Sequence, residues 1–517
     1  MKKLIIIGMV TLFTLNFAWA QEEAPYGYYI DAARFSRTMS TGSARIQGIG
    51  GTNIALGADA SSIYSNPAGL GLFNRSEFTF TPSLNFINTN SKLNGFSRST
   101  FDNNLKVDQL GVVFNRSNGR TSGWLGGSFG ISVNKINDFN RTFRYSGSNS
   151  SNSIVDFFIE SANGFTTSQF PSLSNAADLT TLSYYSYLIG PMNVIGPGLA
   201  NDQYFSDITS FLRPTVQQQE TVVTSGSQYQ WSFSYGANYN DFLYIGASLG
   251  FTNLNYHVSN SYSESGFDYS SQDATYNPIS SISFNEDLFI NGTGVNGTFG
   301  LIVRPQTNFR LGFSLTTPTL YNLNDRYLAD LTADWNNFLY QDIIDGDTTL
   351  NNVFTQSAIV TSRYRLRTPL KLAIGGAFFV GNRGFISLDA EYLDYGSMKL
   401  SSSELAMDAD NTFISNNFTG SLNLRLGGEM RAGKMKFRAG YALNNIPTNK
   451  AIDYSSASHS ISGGFGISFD PFVLDLALTH VSQGSDYSPY NLVDNSQPNV
   501  RNQTNDWNAA LTFGYKF

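Results

Sequence analysis

Along most of the chain, apolar and polar residues alternate. In "EFTFTPSLNF", Phe78, Phe80, Leu84 and Phe86 take one face and Glu77, Thr79, Thr81, Ser83 and Asn85 the other. "QWSFSYGANY" sets Trp231, Phe233, Tyr235, Ala237 and Tyr239 against Gln230, Ser232, Ser234, Gly236 and Asn238, and "FRLGFSLT", "HSISGGFGISF" and "DWNAALTFGYKF" repeat the arrangement. A period of two over about ten residues predicts transmembrane β-strands, apolar towards lipid and polar towards a lumen. Fourteen strands are predicted, at 77–87, 109–115, 124–134, 229–239, 242–254, 295–304, 308–316, 364–379, 384–394, 418–431, 434–443, 458–468, 472–482 and 506–517.

The connections alternate between short and long. "RSNGRTSG", "ND", "PQT", "GNRG", "AG" and "FDP" read as turns, whereas 88–108, 135–228, 255–294, 317–363, 395–417, 444–457 and 483–505 read as long loops. That alternation predicts an all-β fold, a closed antiparallel barrel of residues 77–517 with periplasmic turns and extracellular loops. Fourteen strands enclose a lumen too wide for wall side chains to fill. The preceding segment, 21–76, is Gly- and Ala-rich and suits a plug inside it.

Composition agrees. Aromatic and charged residues each make up 14% of the chain, where soluble proteins carry about 25% charged residues. Residues 1–20 read as a cleaved signal peptide, with Lys2 and Lys3, the apolar "LIIIGMVTLFTLNF" and Ala18-Trp19-Ala20 before Gln21. The net charge of −7, lowered by two to −9 when Lys2 and Lys3 leave, argues against nucleic acid. The lack of cysteine excludes disulfides, thiolate metal sites and a lipid-modified N-terminal Cys. The expected location is the outer membrane of a Gram-negative cell, within outer-membrane lipid.

The stretch "GSARIQGIGGTNIALGADASSIYSNPAGL" (42–70) resembles the N-terminal hatch of the FadL/TodX family of long-chain fatty-acid and hydrocarbon transporters. The resemblance rests on Gly48, Gly50, Gly51, Ala58, Asp59 and Ala60, then Asn66, Pro67 and Ala68. "GADAS" carries one acid where members of that family often carry two. The resemblance implies a fourteen-stranded barrel with a hatch, and a terminal aromatic, here Phe517, read by the barrel-assembly machinery. It also implies passive uptake of a hydrophobic small molecule, above all a long-chain fatty acid. Barrels of this family also act as protein shuttles in type IX secretion, which is the alternative function. In physical terms Pro67 pushes Asn66 out of helical conformation and leaves it to bond nearby backbone. Asp59 either pairs with a lumen arginine or caps "ASSIYS".

Strand parity places Arg363, Arg365, Arg367 and Lys371 on one lumen face, with Asp389, Glu391, Arg425, Glu429, Arg431, Lys434, Lys436, Arg438 and Asp475 on the strands that follow. Most should form cross-strand ion pairs; Arg365, Arg425 and Arg438 are the candidates for holding a ligand carboxylate. In loop 135–228, Phe157, Phe158, Tyr184, Tyr185 and Tyr187 form either a lid core or a landing groove for an amphipathic ligand. No catalytic group, metal site or cofactor site is expected. The three histidines, His257, His459 and His480, lie in no triad pattern. "GTGVNG" (292–297) lacks a βαβ context, and "DGD" (345–347) and "DAD" (408–410) read as solvated loop acids.

Overall fold

The structure is a computed structural model that describes residues 27–39, 41–196, 198–273, 275–445 and 457–517. The signal-peptide reading, 1–20, and the start of the hatch segment, 21–26, lie outside the described residues. Fourteen strands form the wall: β1 (Glu77–Leu93), β2 (Phe96–Ser117), β3 (Trp124–Asp138), β4 (Thr215–Tyr239), β5 (Leu243–Asp268), β6 (Ile279–Gln306) and β7 (Phe309–Thr316). They continue as β8 (Lys371–Phe379), β9 (Gly384–Asp394), β10 (Gly420–Ala432), β11 (Met435–Asn444), β12 (Ser458–Phe469), β13 (Phe472–Tyr487) and β14 (Val500–Lys516). Each pairs antiparallel with the next, and β14 returns to β1 from Lys516↔Glu77 to Arg501↔Lys92, so the ring is closed. Every predicted strand has its counterpart in this wall.

Two expectations change. The predicted strand 364–379 is two strands. Val360–Arg367 pairs with the loop strand Leu320–Tyr340, and only Lys371–Phe379 joins the ring, between β7 and β9. Pro369, which has no N–H to give to a ladder, lies at the break. The stretches 88–108, 255–294 and 317–363, expected as loops, are mostly strand. The β1–β2 hairpin turns only at Asn94-Gly95, with φ of 47° and 92°, the left-handed pair that a tight hairpin requires.

β4, β5 and β6 run 25, 26 and 28 residues, where a tilted strand crosses a bilayer in about 9–11. Their surplus rises above the membrane, and the chemistry of their two faces marks the level. On β5 the outward Ile245, Leu249 and Phe251 are exposed while inward Ser248 and Thr252 are buried. From there up the faces exchange polarity without changing phase. Leu254, Tyr256, Val258 and Tyr262 point inward and are buried, with Asn253, Asn255 and Ser261 outside. β6 does the same, with Phe299 and Leu301 outward below and Ile290, Leu288, Phe284 and Ile282 inward above. Below the switch hydrocarbon lies outside the wall; above it water does, and the interior holds the large apolar core of a cap.

The chain before β1 runs down through the ring. Helix α1 (Tyr28–Ser36) joins the cap core through Ala32, Ala33 and Phe35; α2 (Ala44–Gln47), α3 (Ser62–Ser65) and a 3-10 turn, Pro67–Leu72, lie lower. Wall glycines receive their backbone. Gly236, Gly246 and Gly300 sit opposite one another on β4, β5 and β6 and face the Asn66-Pro67-Ala68 turn; Gly312 and Gly375 pair across β7–β8 and face Ile54; Gly427 and Gly440 pair across β10–β11 and face Ile49-Gly50. A methyl group at any of these would overlap the segment, which at Gly236, Gly246, Gly312, Gly427 and Gly440 approaches with its backbone.

This topology predicts which sites a membrane-impermeant thiol reagent reaches on whole cells. Leu199→Cys and Ile344→Cys, on the cap, should label; Arg120→Cys and Thr307→Cys, in the opposite turns, should label only after lysis. The opposite pattern would invert the barrel.

Candidate functional site: the lumen and its hatch

The Asn66 turn is bonded on three sides. Asn66 is extended (φ −146°, ψ 96°), its Oδ1 accepts from Ala68 N at 3.2 Å, and Pro67 opens the following turn. Its Nδ2 donates to Ile54 O at 2.6 Å and lies 3.3 Å from Phe313 O on β7. Fully buried, it ties the segment to itself and to the wall. Asp59 takes the capping role: it accepts from Ser61 N at 2.9 Å and from Ser43 Oγ at 2.9–3.0 Å. Its arginine neighbour, Arg45 at 3.6 Å, belongs to the same segment and not to the wall. Gly48 approaches Gly464 of β12, and Gly50 N donates to Ser462 Oγ at 3.0 Å.

Wall charges complete the seat. Asp389 accepts from Asn53 N and Ile54 N at 2.7 and 3.0 Å, a carboxylate capping two backbone donors. Arg45 reaches Glu429 at 3.5 Å, Glu429 accepts from Arg438 at 2.9 Å, and Arg438 donates to Asp475 at 2.8 Å. Arg438 is thus held between two carboxylates and takes a structural place in the wall. Arg365 is not in the lumen at all: it is exposed on Val360–Arg367, outside the wall and above the membrane, as are Arg363 and Arg367. The break at Pro369 separates these three from the phase of β8, which parity counting carried straight through. The expected lumen placement of Arg365 is therefore corrected.

Arg425 does line an internal cavity of about 90 Å³. The roof is Phe35, Thr38 and Met39, on and after α1; the floor includes Ile54, Ser61 and Tyr64; the walls include Gln230, Asn296, Tyr321, Lys371, Glu391 and Arg425. Arg425 donates to Glu391 at 3.0 Å, and Lys371 donates to Thr38 Oγ1 at 2.8 Å. Its roof and floor mix apolar side chains, Phe35, Met39, Ile54 and Tyr64, with the polar Thr38, Asn53 and Ser61, and one wall carries two cations with one carboxylate between them. Lys371 had the correct lumen face in the sequence pattern; α1, which roofs the site, falls in the stretch 21–76 to which the strand pattern assigned no element.

Among the aromatic candidates of loop 135–228, Phe158 is fully buried and Phe157 packs beside it. Tyr184 stacks on Phe170 at 5.1 Å, and Tyr185 donates to Pro171 O at 3.0 Å. Phe158 thus belongs to the cap interior, Phe157, Tyr184 and Tyr185 are half-buried around it, and Tyr187 is exposed, so both arrangements the sequence left open stay open. All three histidines point outward: His257 meets Asp287, His459 meets Tyr441, and His480 lies against Trp507.

No family model matches the sequence, and no curated protein matches it. Among solved structures it is similar to a Pseudomonas aeruginosa FadL homologue, at TM-score 0.57 and 13% identity over 93% of this chain and 99% of that one. It is also similar to the P. putida toluene transporter TodX, at TM-score 0.51 and 13% identity over 92% of this chain and 99% of that one. The chain has the FadL-type fold. The hatch resemblance read from 42–70 and the architecture therefore agree, although the sequences share few residues.

Above the cavity, α1 is held by acids of the cap. Tyr28 Oη donates to Asp325 at 2.8 Å, Tyr29 N to Asp410 at 3.0 Å, and Tyr364 Oη to Asp31 at 3.1 Å; Arg34 pairs with Asp31 at 2.6 Å. Burial pushes the Asp31 carboxyl up to about 6, with Asp325 and Asp410 adding to the rise and Arg34 and Tyr364 opposing it. A carboxyl raised on docking binds its proton more tightly when docked. Docking is therefore favoured in acid and weakens as pH rises from about 4, the free value, through 6.

Two outcomes follow. Amide exchange of residues 28–36, corrected for intrinsic rate, should speed up between pH 5 and pH 7, and Asp31→Asn should flatten that dependence. Asn66→Ala should loosen the hatch by about 1–3 kcal/mol, the cost of stranding buried partners, read as faster exchange over 52–70 with wall amides still protected. Unchanged exchange there would show that the turn anchors nothing.

Proposed function

We propose that this protein is a passive outer-membrane channel for hydrophobic small molecules, above all for amphiphiles with a carboxylate head such as long-chain fatty acids. The observation that carries this reading is the cavity between the hatch and α1, with Phe35, Met39 and Ile54 at its roof and floor and Lys371 and Arg425 on its wall. Aromatic and aliphatic side chains within a mixed polar lining, beside two cations, suit the carboxylate end of an amphiphile, because Arg and Lys bond an anionic oxygen more strongly than a neutral one. The FadL-type fold and the apolar belt of the wall support passage across an outer membrane. A space of about 90 Å³ accommodates a carboxylate head but no acyl tail. Passage therefore requires α1 to lift Phe35 and Met39, and the hatch, seated by hydrogen bonds and close backbone contact, to shift below. Segments 21–76 and 77–517 are on this reading the gate and the conduit.

Lys371→Met tests it. Uptake of a long-chain fatty acid should fall about tenfold or more, the weight of one hydrogen bond to a charged group, while uptake of an alkane of equal length should be unchanged. Lipid extracted from the purified wild-type protein should contain fatty acid by mass spectrometry. Equal losses for both ligands would make Lys371 a structural group and remove the carboxylate from the proposal.

A further inference from the structure

The arginines displaced from the lumen make a surface of their own. Arg363, Arg365 and Arg367 stand in file on the outward face of Val360–Arg367, about 7 Å apart at strand spacing. Arg367 lies directly opposite Lys399 on the short strand Lys399–Ser401, and Arg326 is exposed one strand to the other side, over the ring of Phe289. Among the described residues none of these five cations forms an ion pair. Glu404 comes near, but its carboxylate accepts from the backbone N of Arg363 at 3.1 Å. Like charges directly opposite on neighbouring strands are destabilising unless an anion lies between them.

Their height says which anion. Arg367 pairs across the sheet with Leu320, and three residues further on Leu370 begins the apolar outward file of β8 with Ile374, Phe378 and Val380, all exposed to lipid. Tyr392, on the outward face of β9 opposite Leu372, is 47% exposed at this same upper rim, the level where aromatic girdles meet headgroups. The cations therefore begin within a few residues of the outer edge of the hydrocarbon, where the headgroups of the outer leaflet lie.

We propose that Arg326, Arg363, Arg365, Arg367 and Lys399 form a docking site for a phosphorylated lipid of the outer leaflet, whose acyl chains lie against Leu320, Leu370 and Ile374. Guanidinium groups bind phosphate through paired hydrogen bonds, and a headgroup bearing two phosphates spans a file of three. The site depends on the chain crossing a membrane and not on what passes through the lumen.

The test uses the full-length protein in neutral detergent, titrated with lipid A, a bis-phosphorylated glycolipid, and with phosphatidylcholine, and followed by native mass spectrometry. Wild type should retain lipid A and not phosphatidylcholine. The R363Q/R365Q/R367Q triple variant should bind lipid A about a hundredfold more weakly and K399Q alone about fivefold, taking the usual weight of one surface cation at an anionic membrane. R75Q, at the opposite rim, should bind as wild type, and heat-modifiable gel migration should confirm that each barrel is closed. Wild-type affinity in both the triple variant and K399Q would overturn the site. So would equal weakening by R75Q, or complete displacement of lipid A by an equimolar amount of inorganic pyrophosphate, which would mark a site for a soluble anion.

Discussion

A strand wall inside hydrocarbon has no water to satisfy an open edge, so its backbone hydrogen bonds must close on themselves. The pairing of β14 with β1 meets that demand, and its consequences reach the whole molecule. Fourteen strands enclose far more space than their inward side chains fill, and those side chains are serines, threonines, asparagines and charges that need partners. The segment before β1 supplies them. Thr512, Ser462, Ser234, Ser314 and Asp389 all bond hatch backbone or are bonded by it. The glycine belt lets that backbone come close enough for the bonds to form.

The same wall then meets a second solvent. Where the outward file of β5 passes from Phe251 to Asn253, the inward file passes from Thr252 to Leu254. Above that level the barrel behaves as a soluble β-protein, burying apolar side chains inside and showing polar ones to water. The cap is consequently a packed body continuous with the barrel, and α1 is part of its core. Roofing of the cavity and docking of the N-terminal helix thus share one apolar cluster.

Charge is sorted by the same geometry. Cations in the lumen are held by carboxylates or by the hatch, because a buried unpaired charge is costly: Arg438 by Glu429 and Asp475, Arg425 by Glu391, Lys371 by Thr38. Above the lipid belt, among the described residues, the outward Arg326, Arg363, Arg365, Arg367 and Lys399 stand free of carboxylates in water, whereas Arg213 and Arg501 pair with Asp156 and Asp486. A shift of a few residues along the chain, from Arg367 to Lys371, is enough to exchange one environment for the other.

The period of two determined the wall by itself, because a strand between hydrocarbon and a wet lumen must alternate, and each of the fourteen predicted stretches holds a wall strand. The local conformation at Asn66-Pro67 was equally legible, because proline constrains the residue before it whatever surrounds it. Height along the barrel axis was decided only by the tertiary structure. Residues 255–264 and 281–294 keep the phase of the strands below them but with polarity reversed, and that reversal has meaning only once the lipid boundary is placed. The same limit hid the outward turn of Arg365, since parity cannot be carried across the interruption at Pro369, and the roles of Gly246, Gly427 and Gly440, which depend on what approaches them from elsewhere in the chain. Local pattern reports which faces differ; which solvent, ion or backbone each face meets is fixed only when the ring closes around its hatch.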